Sequence, residues 1–215
     1  MLVQPGERLI MIGDSITECG RPKAGEPGHA TALGHGYVAK VAARLRERVP
    51  APGVEVLNRG IGGHTVRDLA ARWEADVIAL SPHWLTVMIG INDVWRYFNP
   101  ACRAEAVPPD EYEGTLEALV ARSQPQVRGL VLLTPFYVEP DRNDPMRRRM
   151  DEFGGIVARL ARRHGVPCVD TQAVMDGLMA RIHPDTIAPD RVHVGEAGHE
   201  ALAAAALKEL VQAGT

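Results

Sequence analysis

Arg8-Leu9-Ile10-Met11-Ile12-Gly13-Asp14-Ser15-Ile16-Thr17 is an unbroken apolar run that stops abruptly on small, hydrogen-bonding residues. A continuous apolar run, unlike an alternating one, marks a strand buried on both faces. Four further runs of the same kind follow: VEVLN (54–58), WLTVMIG (84–90), GLVLLTP (129–135) and VPCVD (166–170). Helical patterns lie between and after them, at 35–48, 65–80, 110–123, 146–164 and 196–213, with a short helix expected within 171–183. Five strand–helix units in series predict an α/β fold, a five-stranded parallel sheet with helices on both faces. Crossovers are then right-handed, and ligands lie beyond the carboxyl ends of the strands. With no internal repeat or low-complexity linker, residues 1–215 are expected to form a single domain.

Composition narrows the function. Across 215 residues, apolar side chains make up 46% and charged ones 24%, enough to bury a sizeable core. Acids outnumber bases 27 to 24, for a net charge of −3, which argues against nucleic-acid binding and against adhesion to anionic membranes. No run approaches the ~20 apolar residues of a spanning helix. The opening residues, MLVQPGERLIMIGD, lack a basic segment followed by a signal-length apolar core. Cys19, Cys102 and Cys168 are odd in number and far apart, unlike a disulfide framework. The expected location is therefore cytoplasmic.

The strand ends carry the chemistry. They read Gly13-Asp14-Ser15-Ile16-Thr17, Asn58-Arg59-Gly60-Ile61-Gly62-Gly63-His64-Thr65, Gly90-Ile91-Asn92-Asp93 and Thr134-Pro135, with Asp190-Arg191-Val192-His193 before the last helix. The chain has three serines, Ser15, Ser81 and Ser123, and only Ser15 stands at such an edge. A serine nucleophile needs a base to take its proton, and the base needs a carboxylate to hold its tautomer. Asp190 and His193, three apart, suit those roles; they also read as an unrelated loop pair, and Ser15 as a helix N-cap. Asn92 reads either as an amide donor to an oxyanion or as a turn-former. Gly60, Gly62 and Gly63 allow close backbone approach to a ligand. The dinucleotide fingerprint G-x-G-x-x-G fails at Thr65, and no phosphate-binding P-loop is present. His193 and His199 stand six apart without H-E-x-x-H or a cysteine pair, so no metal site is expected, and His199 reads as an ordinary polar residue of a helix start. Trp95, Tyr97 and Phe98 read either as sugar-stacking faces or as a loop anchored on the core or at a subunit contact. Trp73 and Trp84 read as core or interface, and Arg147, Arg148 and Arg149 as a solvated helix start.

Taken together, Gly13-Asp14-Ser15-Ile16, Gly60-Ile61-Gly62-Gly63, Gly90-Ile91-Asn92-Asp93 and Asp190-Arg191-Val192-His193 resemble the four ordered blocks of the SGNH (GDSL-type) hydrolases. The G-x-S-x-G elbow of the α/β-hydrolase fold is absent, since Thr17 stands where its last glycine would be. Segments such as NRGIGGHTVRDLAARWEADV, MIGINDVWR and DRVHVGEAGHEAL are similar to the bacterial intracellular acetyl-xylan esterases of that superfamily. Gly62 and His64 depart from it, flanking Gly63 where small polar residues are commoner; so does Val194, which follows His193 where Pro or Leu is usual.

The resemblance implies a three-layer α/β/α sandwich of flavodoxin-like SGNH-hydrolase architecture. It makes Ser15 the nucleophile, His193 the general base and acid, and Asp190 its orienting carboxylate. The oxyanion hole is then the Ser15 N–H, the Gly63 N–H and the Asn92 amide, with Asp14, Asn58 and Asp93 supporting from behind. His64, Trp95 and Tyr97 are candidate substrate contacts. The expected activity is removal of acetyl groups from acetylated xylo-oligosaccharides or related carbohydrates, without a cofactor, by a homo-oligomer. Two other readings stay open: a short-chain lipid or thioester hydrolase of the lysophospholipase or platelet-activating-factor acetylhydrolase kind, and a catalytically silent nucleotide- or phosphate-binding module.

Overall fold

The computed structural model describes residues 3–211. Five strands form one sheet: β1 (Arg8–Gly13), β2 (Glu55–Gly60), β3 (Trp84–Met88), β4 (Gly129–Leu133) and β5 (Cys168–Val169). Their order is β2-β1-β3-β4-β5, and every pairing is parallel. Each strand falls on a predicted apolar run. The runs at 84–90 and 129–135 stop pairing earlier than expected, because Ile89–Gly90 and Thr134–Pro135 turn out of the sheet.

Strand order reverses at β1: the chain first moves outward to β2, then crosses back to β3 on the other side of β1. With right-handed crossovers, that reversal sends the helix after β1 to one face and the helices after β2, β3 and β4 to the other, and opens a crevice at the carboxyl ends of β1 and β3. One group of mutually packed helices comprises α2 (Tyr37–Arg48), α7 (Thr171–Met179) and α9 (Glu196–Val211). The other comprises α3 (Val66–Asp76), α5 (Pro109–Ser123) and α6 (Pro145–His164), which α4 (Ile91–Phe98) joins. Short α1 (Ser15–Glu18) and α8 (Pro184–Ile187) cover strand ends and loops. The architecture is the expected three-layer α/β/α sandwich, a parallel sheet between helical layers. Residues 212 and 213 of the expected last helix lie outside the described residues.

Local signals explain the helix ends. Asp144 caps α6 by accepting from the Arg147 N–H at 2.8 Å, Pro145 occupies the first helical position, and Gly165 ends it in the left-handed region at φ 64°. The Thr65 N–H donates to Asp68 at 2.8 Å and fixes the start of α3. That helix ends at Asp76, short of the expected 80, and a single 3₁₀ turn (Ile78–Leu80) leads into Ser81 at φ 48°. Trp73 is fully buried and donates to Ser123 Oγ at 2.9 Å; Trp84 donates to Glu7 Oε2 at 2.9 Å. Both tryptophans are core residues whose indole N–H finds a partner.

Three sequence expectations are corrected. Trp95, Tyr97 and Phe98 ride on α4 and not on a loop: Ile91, Asp93 and Val94 bury the first turn of that helix, and the aromatics stand exposed on its second half. Arg147 is not solvated: it is buried, and its guanidinium meets Asp151, Asp176 and the Glu139 carbonyl. His199 is buried too, accepting from the Tyr37 N–H and contacting Cys19 Sγ, so it fastens α9 to α1 and α2.

Gly60, at the end of β2, lies against α1. A Cβ there would overlap the Thr17 and Glu18 backbone, which has no flexible end to move aside. Gly60→Ala is therefore expected to cost roughly 1–3 kcal/mol by overpacking. Thermal unfolding should show a melting point lower by about 2–10 °C; an unchanged one would mean that α1 is not packed on this strand end.

Candidate active site

The carboxyl ends of β1, β2 and β3 and the loop before α9 meet in one crevice. Ser15 is the first residue of α1, immediately after β1. Its Oγ lies 2.9 Å from His193 Nε2. His193 Nδ1 lies 2.6 Å from Asp190 Oδ2. A hydroxyl, an imidazole and a carboxylate thus form one continuous hydrogen-bonded line.

Asp190 builds that line from local geometry. Its Oδ1 accepts from the Val192 N–H at 3.0 Å and the His193 N–H at 2.8 Å, curling the chain so that the His193 ring returns over Oδ2. The curl passes through Arg191 at φ 66°, a conformation that costs a non-glycine residue about 1–3 kcal/mol. It is held from both sides: the Arg191 carbonyl accepts from the Val138 N–H at 2.9 Å, and its guanidinium meets Asp185 and Glu139. Partial burial works to raise the Asp190 carboxyl, but the hydrogen bonds from the His193 ring and from the His193 and Val192 N–H groups outweigh it and hold it below the ordinary carboxylate range. Asp190 therefore stays ionised beside the imidazole. The His193 and Asp190 side chains are more than half exposed, so the site opens to solvent.

The other candidate donors follow β2 and β3. Gly63 follows β2 at φ 79°, and among the described residues its N–H donates to no protein acceptor. Asn92 stands in the first turn of α4 and spends one amide hydrogen on the His64 carbonyl at 2.9 Å. An amide carries two N–H donors, so the second remains for a ligand.

Behind the line, Asn58 uses its whole side chain. It donates to Thr17 O at 2.8 Å and Leu33 O at 2.9 Å, and accepts from the Gly60 N–H at 2.9 Å. Asp14 is buried and caps α1 through the Ile16 N–H at 3.0 Å. Asp93 is buried and accepts from the Val66 N–H at 3.0 Å, its second oxygen without a partner among the described residues. Burial pushes both carboxyls up to about 7, and the hydrogen bonds they accept only partly offset it. His64 is held by Arg72 Nε at 3.1 Å, and burial with that cation lowers its pKa. Trp95, Tyr97 and Phe98 are exposed on α4, and the Tyr97 ring is flanked by the Arg103 and Arg149 guanidinium groups. Among the described residues no three His, Cys, Asp or Glu side chains gather as metal ligands. Glu18, Arg72 and Arg96, which sequence reasoning missed, border the Gly62–His64 loop by hydrogen bonds to its backbone or side chains. No sequence motif announces such bonds, because their partners are mostly main-chain atoms.

Asp14 generates a pH prediction. Its folded pKa lies above its unfolded value, so the folded state holds the proton more tightly; the stabilisation is complete below about 3.8 and disappears as pH rises to about 7. Asp14→Asn keeps the cap acceptor and removes the titration. The melting point of the variant relative to wild type should therefore climb between pH 4 and pH 7; a constant difference would show that Asp14 is ionised throughout.

Comparison with known proteins adds to this geometry. Residues 11–201 match the GDSL-like Lipase/Acylhydrolase family. The chain is 48% identical over 211 residues to an acetylxylan esterase of Geobacillus stearothermophilus, covering 98% of this chain and 96% of that protein. A solved catalytic mutant of that organism's acetylxylan esterase, its serine changed to alanine, superposes with a TM-score of 0.92 at 48% identity, covering 98% of this chain and 97% of that one. An alpha/beta hydrolase enzyme from the metagenome of Lake Arreo, Spain, superposes with a TM-score of 0.90 at 44% identity, covering 99% and 100% of the two chains.

Proposed function

The chain belongs to the GDSL-like lipase/acylhydrolase family, and from that premise we propose that it is a serine esterase that removes acetyl groups from acetylated xylo-oligosaccharides or related carbohydrates. The observation that carries this reading is the 2.9 Å approach of Ser15 Oγ to a His193 ring whose far nitrogen is 2.6 Å from Asp190. The likeness to the Geobacillus acetylxylan esterase supports the substrate class.

Ser15 Oγ attacks the ester carbonyl as His193 Nε2 takes its proton. Asp190 holds the Nδ1–H tautomer and stabilises the imidazolium that forms. Charge gathers on the carbonyl oxygen, facing the Ser15 N–H, the Gly63 N–H and the second N–H of Asn92. The tetrahedral species collapses, the sugar oxygen leaves with the proton from His193, and the acetyl group stays on Ser15. Water then repeats the sequence and releases acetate. No cofactor enters these steps. The half-exposed His193 and Asp190 suit a bulky oligosaccharide alcohol. Trp95 serves as the stacking face for a sugar ring and His64 as a nearby hydrogen-bond donor, while Tyr97, already covered by two guanidinium groups, frames the site. The exposed α4 aromatics also support assembly into a homo-oligomer, and three unpaired cysteines support a cytoplasmic location. Among the described residues no helix is long and apolar enough to cross a membrane.

Acetate release from acetylated xylo-oligosaccharides tests the reading. Ser15→Ala should lose on the order of 10⁶-fold in kcat. Asn92→Ala should lose about 10²–10³-fold, the usual cost of one oxyanion donor. p-Nitrophenyl acetate should be cleaved faster than the octanoate. A fully active Asn92→Ala would remove the amide from the oxyanion hole, and an octanoate preference would move the enzyme to the short-chain lipid or thioester class.

A further inference from the structure

The donor peptide of Gly63 lies between two glycines, Gly62 and Gly63. The direction of its N–H depends on torsions about residues with no Cβ to restrict them, the softest in the chain. Yet an oxyanion donor must be aimed before the charge develops. Each neighbouring peptide plane is held by a charged side chain. On one side the Gly62 N–H donates to Glu18 Oε2 at 3.2 Å. On the other, the Gly63 carbonyl accepts from Arg96 Nη2 at 2.7 Å. Glu18 is itself buried and paired with Lys23 Nζ at 2.9 Å, which offsets a carboxylate charge so near the reacting centre; Arg96 is braced by Glu105 at 3.1 Å.

The origin of these two side chains gives them meaning. Glu18 ends α1, the helix that begins with Ser15; Arg96 lies on α4, the helix that carries Asn92. Each therefore ties the glycine loop to an element bearing another proposed oxyanion donor. We infer that Glu18 and Arg96 are positioning residues that clamp the Gly62–Gly63 peptide between them and so set the aim of the Gly63 N–H relative to Ser15 and Asn92. This rests on the reading of Gly63 and Asn92 as oxyanion donors. Neither side chain needs to touch the acetyl group, so the effect belongs in kcat and not in KM.

The test is steady-state hydrolysis of p-nitrophenyl acetate by Glu18→Ala, Glu18→Gln, Arg96→Ala, Arg96→Lys and Asn92→Ala. Small misalignments at a reacting centre cost up to ~10²-fold, so the two clamp alanine variants should lose about 10–10²-fold in kcat with KM within about twofold of wild type. Glu18→Gln, which still offers an oxygen to the Gly62 N–H, and Arg96→Lys, which still donates to the Gly63 carbonyl, should each recover most of that loss. Should Glu18→Ala lack the wild-type circular dichroism spectrum, Glu18→Met supplies the same length without the acceptor. Clamp alanine variants within twofold of wild-type kcat overturn the proposal, as do Gln and Lys variants as slow as alanine. Asn92→Ala separates the two levels: slow while the clamp variants are fast, it leaves the oxyanion hole standing and removes the clamp alone; as fast as wild type, it removes the oxyanion reading on which the clamp depends.

Discussion

The 2.9 Å contact between Ser15 Oγ and His193 Nε2 joins residues 178 positions apart, and the rest of the structure is arranged around it. Such a pairing cannot come from local sequence. It requires β1 inside a parallel sheet, between β2 and β3, a strand order that reverses there, and a last helix whose leading loop returns over the same edge. Asp190 completes the contact locally, folding three residues around its own carboxylate so that orientation and charge for the imidazole come from one side chain. The strained Arg191 is the conformational cost of that economy, and its anchors on the Val138–Glu139 segment explain how the strain persists.

Facing this rigid line is a loop of the opposite character. Gly60, Ile61, Gly62 and Gly63 bring backbone close to α1 because almost nothing projects from them. Gly60 packs against α1, but Gly62 and Gly63 beyond it have no side chain of their own to fix them. Order is supplied instead by polar side chains from its neighbours: Asn58, Glu18 and Arg96 on its backbone, Asn92 on the His64 carbonyl, and Arg72 on the His64 ring. Hydrogen bonds suit this task because they fix direction, and direction is what a preorganised donor needs. The buried Asp14 and Asp93 hold helix starts on either side through the Ile16 and Val66 N–H groups.

Much of this was legible in the residues. Apolar runs such as Leu9–Ile12 and Leu130–Leu133 announce strands because burial on both faces leaves no alternation, and the residues ending them announce the crevice. Ser15 and Asn92 stand out by residue type and by place after strand ends, Asp190 and His193 by their spacing just before the last helix. Helix α4 was hidden because Asn92 also reads as a turn-former and the aromatics beyond it read as sugar-stacking faces or as an anchored loop; only the packing of Ile91 and Val94 shows that a helix starts there, buried at its first turn. His199 and Arg147 looked like surface groups because their partners, the Tyr37 N–H, Cys19, Asp176 and the Glu139 carbonyl, are distant in sequence or belong to the main chain. Glu18 was invisible for the same reason: its acceptor role depends on a backbone N–H at Gly62, which no residue pattern encodes.

The central claim is that one serine, activated by one histidine–aspartate pair, does the chemistry. Its most direct measurement is labelling of the native protein by a fluorophosphonate probe, followed by peptide mass spectrometry. One equivalent of probe should appear on the peptide containing Ser15, with uptake slowed by orders of magnitude in His193→Ala. Labelling at Ser81 or Ser123 instead, or uptake at Ser15 as fast without the imidazole as with it, would contradict it.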